Sequence, residues 1–170
     1  MLVYLHLGLS LTTYYLLLTT SFLIVIFVYD LKHYLILDKV VFPGAILALL
    51  YQGYMGYRGD WGELGGALIG AAALSGFFGL LYLVSRGKWI GLGDVKLGLF
   101  LGALVQWPQT VALFFLAYFL GAAVSVPLLM FGRRHLTDKL PFGTFLTAAA
   151  FIAMLYGQEI TMWYLKLIGI

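Results

Sequence analysis

Asp94 stands in the run Gly91-Leu92-Gly93-Asp94-Val95-Lys96, an acidic residue beside two glycines within an otherwise apolar stretch. An ionisable side chain in or near hydrocarbon is costly, and by default it marks a functional site. A second aspartate, Asp30, closes the first long apolar run just as Asp94 opens a later one. Two carboxylates brought close in a partly desolvated site do not both ionise readily, so they share a proton and titrate as a pair. The charged member can activate a water for attack on a carbonyl, while the protonated member stabilises the oxyanion or protonates the leaving nitrogen. That is the chemistry of aspartic proteolysis. Glycines suit it, because a residue without Cβ lets an extended substrate backbone approach the carboxylate.

Plainer readings stand beside this one. Asp30 and Asp38 also fit helix-end residues solvated at the membrane interface, with Lys32 and Lys39 as neighbours. Asp94 also fits an ion pair with a lysine or arginine of another span. Lys96, two residues further on, points away from Asp94 on a helix and is expected to extend toward the headgroups.

The elements that must position these residues follow from composition. Of 170 residues, 63% are hydrophobic and 10% charged, and the mean hydropathy is +1.01. Whole segments lack a polar face to meet water, which excludes a soluble domain. The pattern predicts an all-α, polytopic transmembrane bundle of about six spans, over residues 11–29, 40–57, 62–84, 92–107, 110–130 and 141–157, forming one membrane-embedded domain. Residues 1–29 lack a basic leader region and a small-residue cleavage site, so the first run reads as a retained span. Pro43 falls in the first turn of the second span, and Pro127 is expected to kink the fifth. Gly62, Gly66 and Gly70, and again Gly98 and Gly102, recur at four-residue spacing and predict close helix packing. Residues 159–170, with Trp163, Tyr164 and Lys166, read as an interfacial tail.

No cysteine is present, which removes thiol nucleophiles and cysteine-ligated metal. His6, His33 and His135 are scattered, so neither a metal nor an organic cofactor is expected. The net charge of +3 comes from residues at the ends of apolar runs, which is membrane orientation and not a nucleic-acid footprint. With loops assigned alternately, one side carries Lys32, Lys39, Arg86, Lys88, Lys96, Arg133, Arg134 and Lys139, and the other only Arg58 and Lys166. The positive-inside rule makes the first side cytoplasmic, and Asp30, Asp38 and Asp94 lie on it.

Taken in order, Asp30, Asp38, Gly91-Leu92-Gly93-Asp94-Val95-Lys96 and Pro141-Phe142-Gly143 resemble the type IV prepilin peptidases, the GxGD-type membrane aspartic proteases. The resemblance covers residues 24–157. It implies cleavage of a short basic leader from prepilins or pseudopilins at the cytoplasmic face of the inner membrane. It also implies Asp30 and Asp94 as the catalytic pair, and Asp38, Gly91, Gly93, Lys96, Pro141, Phe142 and Gly143 as residues that shape the site or bind substrate. Two departures stand out. Leu37 replaces the proline that usually precedes the Asp38 equivalent. The paired-cysteine amino-terminal region that many bacterial members link to methylation with S-adenosylmethionine is missing, so methyltransferase activity is not expected.

Presenilins and signal peptide peptidases share Tyr-Asp and Gly-Leu-Gly-Asp but end in Pro-Ala-Leu, so they rank second, and archaeal preflagellin peptidases are near relatives. Outside the proteases, Asp30 and Asp94 also fit a small proton- or cation-coupled transporter, although no convincing internal repeat supports one, or a non-catalytic assembly subunit. The expected partners are a prepilin or pseudopilin substrate, to whose basic leader Asp38 or Asp138 offers a carboxylate, and the lipid bilayer.

Overall fold

Where no water reaches the backbone, each N–H and C=O must be satisfied within its own segment, and long apolar runs therefore become helices. The computed structural model of the chain describes residues 11–59, 61–130 and 141–167. These form six helices: α1 (Leu11–His33), α2 (Asp38–Tyr57), α3 (Trp61–Ser85), α4 (Leu92–Val105), α5 (Gln109–Met130) and α6 (Phe142–Leu167). The fold is a polytopic helical bundle, as the hydropathy pattern implies.

Five of the helices are long and apolar enough to cross a membrane, and α4 is not one of them. Its 14 residues rise about 21 Å, short of a hydrocarbon core of about 30 Å. The expected fourth span, over residues 92–107, is thus cut back. It ends because Gln106 takes a left-handed φ of 66° and the next residue, Trp107, donates its N–H sideways to the Gly66 carbonyl at 2.9 Å. Being short, α4 is enclosed. Leu97, Phe100, Leu101, Ala103, Leu104 and Val105 are all buried, with α2, α3, α5 and α6 packed around them. Exposed apolar side chains such as Ile24, Ile46, Leu50, Ile69 and Leu83 form the outer surface.

The glycine spacing is explained by the α3–α4 contact, the most extensive in the bundle. The backbones of Gly70 and Gly102 meet directly, so a Cβ on either would overlap the other's main chain. At Gly98 a Cβ would stand 3.0 Å from Phe78 and 3.2 Å from the Ser75 nitrogen. These positions set α4 antiparallel along α3, from Gly79 beside Val95 to Gly66 beside Trp107.

Three other boundaries move. α1 continues through Asp30 to His33, because Asp30 finds partners inside the bundle; the last helical bond runs from Tyr34 N–H to the Asp30 carbonyl at 2.8 Å. α2 starts at Asp38, so Pro43 lies in its second turn and not its first. α6 runs on to Leu167 where an interfacial tail beginning at residue 159 was expected. Gly157 does not break it: the space where its side chain would be is occupied by Gln109. The expected features at residues 1–10, Asp60, residues 131–140 and residues 168–170 lie outside the described residues, among them Arg133, Arg134, His135, Asp138 and Lys139.

Candidate active site

Asp30 projects from the last turns of α1 into the bundle and is only 4% exposed. A buried carboxylate needs donors, and one residue of α6 supplies two. The Thr144 backbone N–H donates to Asp30 Oδ2 at 2.6 Å, and the Thr144 hydroxyl donates to the same oxygen at 3.0 Å. Thr144 is the third residue of α6, whose first N–H groups have no partners within the helix, so Asp30 satisfies one of them from another helix. The same N–H also lies 3.2 Å from the Pro141 carbonyl. Gly143 permits this approach: a Cβ there would stand 3.0 Å from Asp30 Oδ2. Pro141 is buried. Phe142 packs edge-on against Phe78 and Tyr118, with ring centroids 5.7 and 5.4 Å away.

Asp94 is the third residue of α4 and folds back to accept the Gly91 N–H at 3.1 Å. It is half-buried and close enough to Asp30 for the two charges to interact. Tyr118 of α5 also interacts electrostatically with Asp94. Between the two aspartate-bearing walls sits Ile36, from the short link joining α1 to α2. A Cβ at Gly93 would stand 3.1 Å from Ile36 Cβ, and one at Gly143 would stand 3.1 Å from Ile36 Cδ1. One isoleucine side chain therefore separates the glycine beside Asp94 from the glycine beside Asp30.

Of the residues singled out from the sequence, Asp30, Asp94, Gly91, Gly93, Pro141, Phe142 and Gly143 converge at one end of the bundle. Asp38 and Lys96 stand at the same end but engage each other, Lys96 Nζ lying 2.6 Å from Asp38 Oδ2 and 5.8 Å from the Phe42 ring. The expected extension of Lys96 toward headgroups gives way to this ion pair. Thr144, Ile36 and Tyr118 were not singled out. Among the described residues, no group of three or more His, Cys, Asp or Glu side chains is placed to hold a metal ion. A cavity of about 380 Å³, lined by Tyr15, Glu63, Gln106, Gln109 and Glu159 among others, lies at the opposite end.

A polytopic helical membrane protein with two aspartates facing one glycine-lined seam is the class that fold and site define. The chain belongs to the type IV leader peptidase family, whose model matches residues 17–126. It is 34% identical over 138 residues to a prepilin leader peptidase/N-methyltransferase of Aeromonas salmonicida, covering 78% of this chain and 47% of that protein. It is 30% identical over 161 residues to the protein of that name from Stutzerimonas stutzeri, covering 95% of this chain and 56% of the relative. It is 35% identical over 130 residues to leader peptidase HopD of Escherichia coli, covering 76% of this chain and 84% of HopD. The chain thus spans about half the length of the first two. No solved structure matches.

Proposed function

We propose that the chain is an aspartic endopeptidase that removes the basic leader from type IV prepilins or pseudopilins, with Asp30 and Asp94 activating the attacking water. The observation that carries this reading is the convergence of Asp30 and Asp94, each beside a glycine, in a member of the leader peptidase family. In the proposed reaction one carboxylate takes a proton from water as it attacks the scissile carbonyl, and the other passes a proton to the leaving nitrogen. The glycines leave room for an extended substrate backbone, which enters by displacing Ile36 from the seam.

The site faces the cytoplasm in this proposal. Of the seven lysines and arginines among the described residues, Lys32, Lys39, Arg86, Lys88 and Lys96 belong to the aspartate end by chain direction, and Arg58 and Lys166 to the other; that bias supports the assignment. The substrate's basic leader then lies on the same side as the Asp38 carboxylate, which exchanges Lys96 for a leader cation. Two of the relatives described above are named for methyl transfer as well as cleavage; the proposal for this chain is cleavage alone.

The test is cleavage of a prepilin in liposomes by the wild type, Asp30→Asn and Asp94→Asn, with folding of each checked by thermal melting. Cutting after the leader glycine by the wild type, and a loss of at least about a thousandfold in each variant, is the expected result. Near-full activity in either variant removes that aspartate from the mechanism.

A further inference from the structure

Thr144 lies among neither the glycine nor the aspartate motifs, yet it is the side chain most directly committed to one of them. Resting on the aspartic-protease reading above, we propose that Thr144 is a positioning residue that fixes the orientation of the Asp30 carboxylate for catalysis. Both Thr144 donors reach the same oxygen, Oδ2. The Asp30 carboxyl therefore cannot rotate without breaking two hydrogen bonds at once, and Oδ1 is the oxygen left to meet water and substrate. Donors to a carboxylate are roughly twice as strong as neutral pairs, and the N–H here belongs to a helix N-terminus, whose dipole favours an anion.

The arrangement is local to Thr144 and not a general property of the hydroxyls in α6. Thr147, one turn further on and equally buried, donates to the Gly143 and Thr144 carbonyls at 2.9 and 3.0 Å within its own helix. Thr144 instead sends both donors across to α1, over a sequence separation of 114 residues. Packing alone does not require both Thr144 donors to meet on one carboxylate oxygen.

The experiment uses the full chain in liposomes with a prepilin substrate. Thr144→Val keeps shape and the backbone N–H and removes only the hydroxyl. It is expected to lower kcat roughly 10- to 100-fold, the scale of a small misplacement of a reacting group, with KM within about twofold. Thr144→Ser restores the hydroxyl and is expected to recover most of kcat, and Thr147→Val, the control for losing a buried hydroxyl in the same helix, to keep it. If Thr144→Val does not fold, Thr144→Ala decides the question by the same comparison. Wild-type kcat in a folded Thr144→Val or Thr144→Ala overturns the proposal, as does an equal loss in Thr147→Val. Either outcome leaves the protease reading intact so long as Asp30→Asn is inactive; an inactive wild type, or an active Asp30→Asn, sinks that reading and this one together.

Discussion

Lys96 Nζ and Asp38 Oδ2 lie 2.6 Å apart and tie the second turn of α4 to the first turn of α2 across 58 residues of sequence. The pair is partly exposed, at 29% and 51%, so its effect on stability is small. A double-mutant cycle with Lys96→Gln and Asp38→Asn is expected to give a coupling below about 1 kcal/mol, read from thermal melting in detergent. A value of several kcal/mol would make the pair a structural clamp instead.

In the proposed reaction the same pair governs how a basic leader is received. Asp38→Lys reverses the charge that the proposal offers to the leader and is expected to raise KM about tenfold, with kcat changed little. Initial rates on a prepilin and on a variant with a neutral leader measure it. Equal KM changes for both substrates would rule out a contact with the leader's charge.

Gly143→Ala places a methyl group 3.0 Å from Asp30 Oδ2 and 3.1 Å from Ile36, closer than ordinary van der Waals contact. Because the Thr144 N–H holds the carboxylate on one side, relief must come from moving Asp30 or Ile36. Cleavage is expected to fall at least tenfold while the melting temperature drops by no more than a few degrees. A large fall in melting temperature at unchanged kcat would show that Gly143 serves packing alone.

Glycines in the α3–α4 seam and glycines on open helix faces should respond with opposite sign. Gly102→Ala drives a methyl into the Gly70 backbone and is expected to destabilise by about 1–3 kcal/mol, the range for overpacking. Gly53 and Gly76 have nothing near their missing side chains, so alanine there is expected to stabilise by up to about 1 kcal/mol through helix propensity. Melting of the three variants in one detergent decides this, and a stable Gly102→Ala would break the account of α4 packing.

How much of this was legible in the sequence differs residue by residue. Hydropathy alone implied the helical membrane bundle, and the Gly70 and Gly102 spacing foretold backbone contact, because both signals are local and periodic. The end of α4 was legible to within two residues from Gln106, Trp107 and Pro108; the positive φ of Gln106, which stops the helix at Val105, was not, because a glutamine carries no conformational signal for it. Asp30 read as a helix end because its partner lies 114 residues away, and a threonine in a helical first turn looks ordinary. Lys96 reads in sequence beside Asp94, its near neighbour, although its counter-ion sits on another helix. Ile36 carried no signal at all: an isoleucine in a short link becomes informative only when glycines close on it from both sides.

The donors to Asp30 also bear on when in biosynthesis the proposed site is assembled. Both aspartates are in place once the ribosome has delivered Asp94, but the α6 N-terminus that holds Asp30 comes nearly fifty residues later by position. Until Thr144 is inserted, the Asp30 oxygen lacks both of the donors it has in the folded bundle, and the seam lacks the wall formed by Gly143. A nascent chain therefore holds its acidic pair unassembled at one end of the bundle, and only insertion of the last described helix completes the proposed site.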